Sequence, residues 1–160
     1  MGEPKTVEDS HVIMTEMVLP SHTNSLGTAF GGLIMSWIDI AAAISAQRHS
    51  NRPVVTASID GLDFVAPVKK GWVVNLKASV NRVFKTSMEV GVRVDAENPI
   101  TGEYHHTASA YLTFVALDSF SNPVSSAEVL PTSDSEKRRY EKALERRKLR
   151  LARKRLNQEI

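Results

Sequence analysis

One stretch limits most strongly what this chain can fold into. Between Phe30 and Ala46 it reads FGGLIMSWIDIAAAISA, almost wholly apolar or small, with a single carboxylate, Asp39, near the middle. The length of the segment and its good helix formers predict a helix from about Gly31 to His49, with Arg48 and His49 placing positive charge where the macrodipole favours it. Leu33, Ile34, Trp37, Ile38, Ala41, Ala42 and Ile44 cover most of its circumference. A helix apolar nearly all round is surrounded by protein, so the rest of the chain has to wrap it. A carboxylate in such a place is costly unless it is hydrogen-bonded, reaches an opening or serves chemistry. A structural bond to a Ser or a backbone group accounts for Asp39 as readily as a catalytic role does.

The remaining segments supply the wrapping. In VVNLKASVNRVF, Val74, Leu76, Ala78 and Val80 alternate with polar residues, and in SMEVGVRVDA the same holds for Met88, Val90, Val92 and Val94. Period two of this kind marks strands with one buried face. VIMTEMVL, VVTASIDGLDF and TASAYLTFVALD read as three more strands. NRVFKT is short enough for a hairpin, and ENPITGE carries Pro and Gly turn chemistry. The predicted order is a strand, the long helix, then four strands forming an antiparallel sheet that one helix covers, an α+β arrangement.

One domain is expected over residues 8–131, because 160 residues of ordinary globular composition enclose a single core. Cys is absent from the sequence, which excludes disulfides, thiolate metal sites and a Cys nucleophile, and fits a reducing, cytoplasmic compartment. The N-terminus lacks the apolar core of a secretory signal, and no apolar run has the length of a membrane span, so no integral membrane association is expected. Charge is unevenly placed: from residue 132 onward eleven Lys and Arg face five acids, whereas before it nine face thirteen. Residues 132–160 are predicted to form a basic C-terminal helix, with Ser133 and Glu136 in capping-box spacing and a narrow apolar stripe of Tyr140, Leu144 and Leu151. A peripheral, solvated helix that frays at its end, with Glu141 and Glu145 paired to neighbouring cations, is favoured over an arm for nucleic acid or anionic membrane.

The chemistry converges on the start of the long helix. The first amides of a helix lack intrahelical acceptors, and Gly31 and Gly32 let a carbonyl oxygen reach them unhindered, as an oxyanion hole requires. A tight loop-to-helix entry is the plainer account of the same glycines. Asn24 offers a donor and an acceptor that can orient water or a carbonyl, or it closes an Asx turn. Asp39 lies eight residues beyond Gly31, about 12 Å along one helix. One helix cannot easily aim both groups at one reacting centre, whereas two antiparallel helices of a symmetric dimer can. There is no Gly-x-Ser-x-Gly elbow, phosphate loop or His-Glu-x-x-His helix. His105 and His106 project to opposite faces of a strand and are read as surface or packing residues.

With these residues in hand, PSHTNSLGTAFGGLIMSWID, VVTASIDGLDFVAPVKKGWVV, KTSMEVGVRVDAENPITGE and ASAYLTFVALD resemble the hotdog-fold acyl-coenzyme A thioesterases of the bacterial and brain-type cytosolic hydrolase group. The resemblance runs over roughly residues 11–120. It implies a long central helix wrapped by a curved antiparallel sheet, dimers joined into one continuous sheet, and three dimers forming a hexamer. It implies hydrolysis of fatty acyl-CoA at the dimer interface, with Asn24 and the Gly31 or Gly32 amide from one subunit and Asp39 from the other.

Asp39 would then serve as general base on water or as a nucleophile. No metal or other cofactor is implied. Coenzyme A contacts are expected from Lys85, Thr86 and Ser87, with Arg82 and Arg93 added, and Thr56 and Ser58 lining the channel. The relatives' Gly-Arg-Thr-Ser turn reads FKTS here, so Phe84 departs from it and Lys85 supplies a point charge in place of a fork. A non-catalytic acyl-CoA sensor on the same fold is the competing reading, and a dehydratase is set aside because no His stands near Asp39 on the helix.

Overall fold

A computed structural model of the chain describes residues 2–158. The elements run β1 (Lys5–Thr6), β2 (Val12–Met17), α1 (Gly31–Ser50), β3 (Val54–Ile59), β4 (Val73–Val83), β5 (Ser87–Glu97), β6 (Tyr104–Leu117), β7 (Pro123–Val124), β8 (Val129–Leu130) and α2 (Asp134–Asn157). The main sheet is antiparallel in the order β2-β4-β5-β6-β3, with β7 paired to β6, while β1 and β8 form a separate parallel pair. It curls round α1, giving the hotdog architecture that the resemblance implies. The short strands β1, β7 and β8 escape sequence reading because two residues carry no period.

The core is the meeting of two patterns. Val74, Leu76, Ala78 and Val80 of β4, Val90, Val92 and Val94 of β5, and Ala108, Ala110, Leu112 and Phe114 of β6 are buried in one cluster with Ile34, Trp37, Ile38, Ala41, Ala42 and Ala46 of α1. Burying side chains of this size stabilises by about 1.5–3 kcal/mol each for the larger ones, so the helix and sheet hold each other. Small Ala residues on both sides let them approach closely. VVTASIDGLDF, expected as one strand, stops at Ile59, and beyond it Phe64 alone bridges to Ala108.

Three register shifts shape the sheet: at Ala57 in β3, Asn81 in β4 and Thr107 in β6. The bulged Asn81 turns its amide onto the buried Glu89, donating from Nδ2 at 3.0 Å. A Cβ on the neighbouring Gly91 would sit 2.8 Å from that nitrogen, which is why this outward strand position is glycine.

Two expectations about α1 change. It is not surrounded within its own chain: Met35 is 40% and Ile40 47% exposed, and Gly32 and Ser36 share that open face. β3 beside it is an edge strand. Nor is His49 a surface cation at the helix end. It is 1% exposed, with Nε2 2.8 Å from the Ala127 carbonyl. The positive charge there comes from Arg48, as expected, and from Lys5, whose Nζ donates to the Arg48 and His49 carbonyls.

Burial holds the His49 imidazole below its ordinary value, outweighing the Ala127 bond, with Lys5 adding to the depression and Asp9 opposing it. Below about pH 6.5 the unfolded chain therefore binds a proton that the folded one resists. The contribution of His49 is present above the unfolded value and is lost as pH falls through the lower folded one. Thermal melts between pH 7 and 5 should show a falling Tm, and the slope should flatten in His49→Gln.

α2 crosses the sheet face turned away from α1. Its capping box forms as expected, with Ser133 Oγ accepting from the Glu136 amide. Its means of attachment differs from the expectation. Ala143 is its one buried residue, and Leu151 is 45% exposed. The helix is fixed by cation-to-sheet pairs: Arg146 on Glu89 at 2.7 Å, Arg150 on Asp60 at 2.9 Å, and Arg82 stacked on the Tyr140 ring at 4.1 Å. Glu141 and Glu145 form no ion pair among the described residues. The helix persists to Asn157, and residues 159 and 160 of the predicted extension lie outside the described residues. No helix among the described residues is long and apolar enough to cross a membrane.

Candidate functional site

Asp39 is half-buried, projecting from the open side of α1 toward β3. Thr56 Oγ1 donates to its Oδ1 at 2.8 Å. That bond fixes one carboxylate oxygen and leaves Oδ2 without a protein partner among the described residues. Thr56, expected only as a channel residue, is thus the group that orients the acid. The bulge at Ala57 explains why Ser58 is not beside it: Thr56 opposes Phe114 and Ser58 opposes Thr113, so the extra residue sends the two side chains to opposite faces. Unbulged, positions two apart would share a face.

At the helix start, the Leu33 and Ile34 amides donate to the Phe30 carbonyl, and Phe30 provides no side-chain cap. The Gly31 and Gly32 amides have no acceptor among the described residues, the condition an incoming oxyanion needs. Asn24 is engaged locally. Its Oδ1 accepts from the Leu26 and Thr28 amides at 3.0 and 3.2 Å, and its Nδ2 donates to Thr28 Oγ1 at 2.9 Å. It holds the loop that leads into α1, and Gly27 in that loop has φ +74°, the left-handed region that suits glycine. Within one chain neither Asn24 nor the glycine amides meet Asp39.

The remaining expected residues divide. Ser58 and Ser87 line one cleft under α2. Lys85 and Thr86 form the β4–β5 turn, closed by the Phe84 amide on the Ser87 carbonyl at 2.7 Å. Arg82 is committed to Tyr140, bonding its carbonyl at 3.2 Å. Arg93 lies farther along the outer face, paired with Asp95 at 2.9 Å.

The histidines separate as expected. His105 packs on Trp72 with ring centroids 5.2 Å apart, and His106 faces outward. There Ser109 Oγ lies 3.1 Å from His106 Nε2, and His106 Nδ1 lies 3.2 Å from Asp95 Oδ1. Burial pushes the Asp95 carboxyl up, but bonds from Arg93, Tyr104 and His106 outweigh it and hold it below the usual range. This line has the connectivity of a hydrolytic triad without its setting. Arg93 already neutralises the acid, and the surrounding strand amides are engaged in the ladder and unavailable to an oxyanion. No cluster of metal-binding side chains occurs among the described residues.

The family description Thioesterase superfamily matches residues 26–103. Over 158 residues the chain is 42% identical to the uncharacterized acyl-CoA thioester hydrolase YkhA of Bacillus subtilis, a match covering 99% of this chain and 92% of that one. It is 40% identical over 157 residues to mouse acyl-coenzyme A thioesterase 11, of whose length it spans 26%.

Among solved structures, an apo-hexameric acyl-CoA thioesterase aligns at TM-score 0.91 and 43% identity, over 94% of this chain and 97% of that one. A Staphylococcus aureus acyl-CoA hydrolase in complex with butyryl coenzyme A, coenzyme A and coenzyme A disulfide aligns at TM-score 0.92 and 36% identity, over 98% and 96%. Alanine variants of that hydrolase have been solved at one Asn, one Asp and one Thr. Those three positions have the same order and the same sequence separations as Asn24, Asp39 and Thr56 here.

Proposed function

The chain belongs to the thioesterase superfamily, and from that membership we propose that it hydrolyses fatty acyl-CoA to a free fatty acid and coenzyme A, with Asp39 activating water. One observation carries the assignment of the base. Asp39 is held by Thr56 at 2.8 Å on an uncovered helix face, and the pair recurs, with Asn24, at the separations of the positions altered in the Staphylococcus aureus hydrolase.

In this reading Asp39 takes a proton from water as the oxygen adds to the thioester carbonyl. The Gly31 or Gly32 amide receives the developing oxyanion, and the tetrahedral adduct expels the coenzyme A thiolate. A direct attack by the carboxylate, giving an anhydride that water then opens, uses the same residues. Asn24 orients the water or the carbonyl, or acts through the loop it braces.

The site is completed by a second copy of the chain. About 12 Å of helix separates the amides from the acid within one chain. The open face of α1, with exposed Met35 and Ile40 beside edge strand β3, is the apolar surface that a partner would cover. A dimer at minimum, and a hexamer like that named for the 43% identical thioesterase, is the proposed assembly. No cofactor and a cytoplasmic setting are part of the same proposal.

Assay against acyl-CoAs of graded chain length tests it. Release of free thiol from at least one is expected, and coenzyme A binding with no turnover at any length would make the protein a sensor. Gly32→Ala tests the amide role. The new Cβ would lie 2.8 Å from Cε1 of Phe30, whose exposed ring has room to swing. Because Ala exceeds Gly in helix propensity, stability should hold or rise by up to ~1 kcal/mol. Crowding the donor should meanwhile lower kcat by about tenfold or more. An unchanged kcat would take this amide out of the reaction.

A further inference from the structure

Asn24 and the Gly31 amide leave from the base of one closed loop. The His22 carbonyl accepts from the Phe30 amide at 2.9 Å, Thr23 bridges to Ala29, and the Thr28 carbonyl accepts from the Asn24 amide at 2.9 Å. With the bonds that the Asn24 side chain makes to Leu26 and Thr28, these contacts fix the shape of the loop. They do not fix where its first arm stands against α1. The Phe30 arm runs straight into the helix, whereas the Asn24 arm starts from the short turn Pro20–His22.

His22 ties that first arm to the helix. Its ring meets Trp37 edge-on, with centroids 5.5 Å apart and planes at 81°, a geometry that aromatic pairs favour. Trp37 is 6% exposed and part of the core cluster, so it offers a fixed reference on α1. The Leu19 amide donates to His22 Nδ1 at 3.1 Å, which makes Nδ1 an acceptor and leaves the proton of the neutral ring on Nε2. Leu19 in turn follows Val18, whose amide donates to the Trp72 carbonyl at 2.9 Å. The imidazole is thus held by the body of the fold on one side and set against α1 on the other.

We infer that His22 is a positioning residue for the proposed reaction: seated on Trp37, it sets Asn24 in place relative to the Gly31 and Gly32 amides. The inference rests on the proposed thioesterase function. A misplacement of about 1 Å in such a group costs up to ~10²-fold in rate. His22→Asn keeps an acceptor near the place of Nδ1 and loses the ring, so it should lower kcat by about tenfold, with KM within about twofold and Tm close to that of the wild type. His22→Phe keeps the ring edge and loses the acceptor, and should restore most of kcat. Full activity in His22→Asn would overturn the inference, and so would an equal loss in both variants, the pattern of a residue that only supports the fold.

Subunit mixing assigns the effect to one half of the site. His22→Asn exchanged with Asp39→Asn should reach roughly a quarter of wild-type activity, because half the dimers are mixed and each has one intact site. Exchanged with Asn24→Ala it should gain nothing, since both losses fall on the same half. Recovery with Asn24→Ala, or none with Asp39→Asn, would count against His22. Should the wild type hydrolyse no acyl-CoA, the thioesterase reading falls by itself, and amide hydrogen exchange decides the role of the ring. Faster exchange at the Asn24 and Phe30 amides in His22→Asn but not in His22→Phe supports it, and unchanged exchange or an equal rise in both overturns it.

Discussion

Asp39→Asn should fold as the wild type does and lose about 10²–10⁴-fold in kcat, the range over which a positioned general base contributes. Asn keeps the size of the side chain and an oxygen that accepts from Thr56, so the hydrogen bond at 2.8 Å has a substitute and Tm should barely move. KM should change little, since the acid is asked to move a proton and not to hold the substrate. Retention of full activity would refute the assignment of the base.

The same variant tests whether the site is shared. Mixed with Asn24→Ala under conditions of subunit exchange, it should regain roughly a quarter of wild-type activity, because half the dimers become mixed and each has one intact site. The logic holds whether Asn24 touches substrate or only braces the loop through its bonds to Leu26 and Thr28, since either loss falls on the same half of the site. Exchange without recovery would place the whole site in one chain.

Arg146→Ala should produce the largest loss of stability. Glu89 is 0% exposed, and Arg146 meets it with Nη2 at 2.7 Å and Nε at 3.2 Å. Removing the cation leaves a buried carboxylate with Asn81 at 3.0 Å and Arg150 at 3.9 Å as its remaining partners. Breaking a buried pair from one side costs about 3–5 kcal/mol, which for a domain of this size lowers Tm by roughly 10 °C in thermal unfolding. Replacing both partners, Glu89→Met with Arg146→Leu, should recover most of the loss, because the penalty comes from the stranded charge. A single-variant Tm within a degree of wild type would mean that the pair contributes nothing and that α2 is held by other contacts.

The basic helix also shows where sequence reading falls short. Its cations were visible as a count, and an isolated helix rich in Arg and Lys is ordinarily solvated. That two of them belong to Glu89 and Asp60, 57 and 90 residues away in the chain, depends on how α2 lies across the sheet. His49 misled in the same way. Its place in the last turn of α1 suggested a cation for the dipole, and only the return of the chain at Ala127 turned it into a buried, neutral-favouring group.

By itself the sequence determined the elements that matter most: a long helix too apolar to stand alone, strands of period two to wrap it, a lone acid on that helix, and glycines at its start. These follow from periodicity and side-chain chemistry over a few turns, which are local properties. Tertiary structure decided the partners. Thr56 is brought to Asp39 by the pairing of β3 with β6, Ser58 is turned away from it by the bulge at Ala57, and one face of α1 is left bare for a second copy. Such pairings depend on register between distant segments, and a one-residue shift reverses which face a side chain occupies without changing the local pattern.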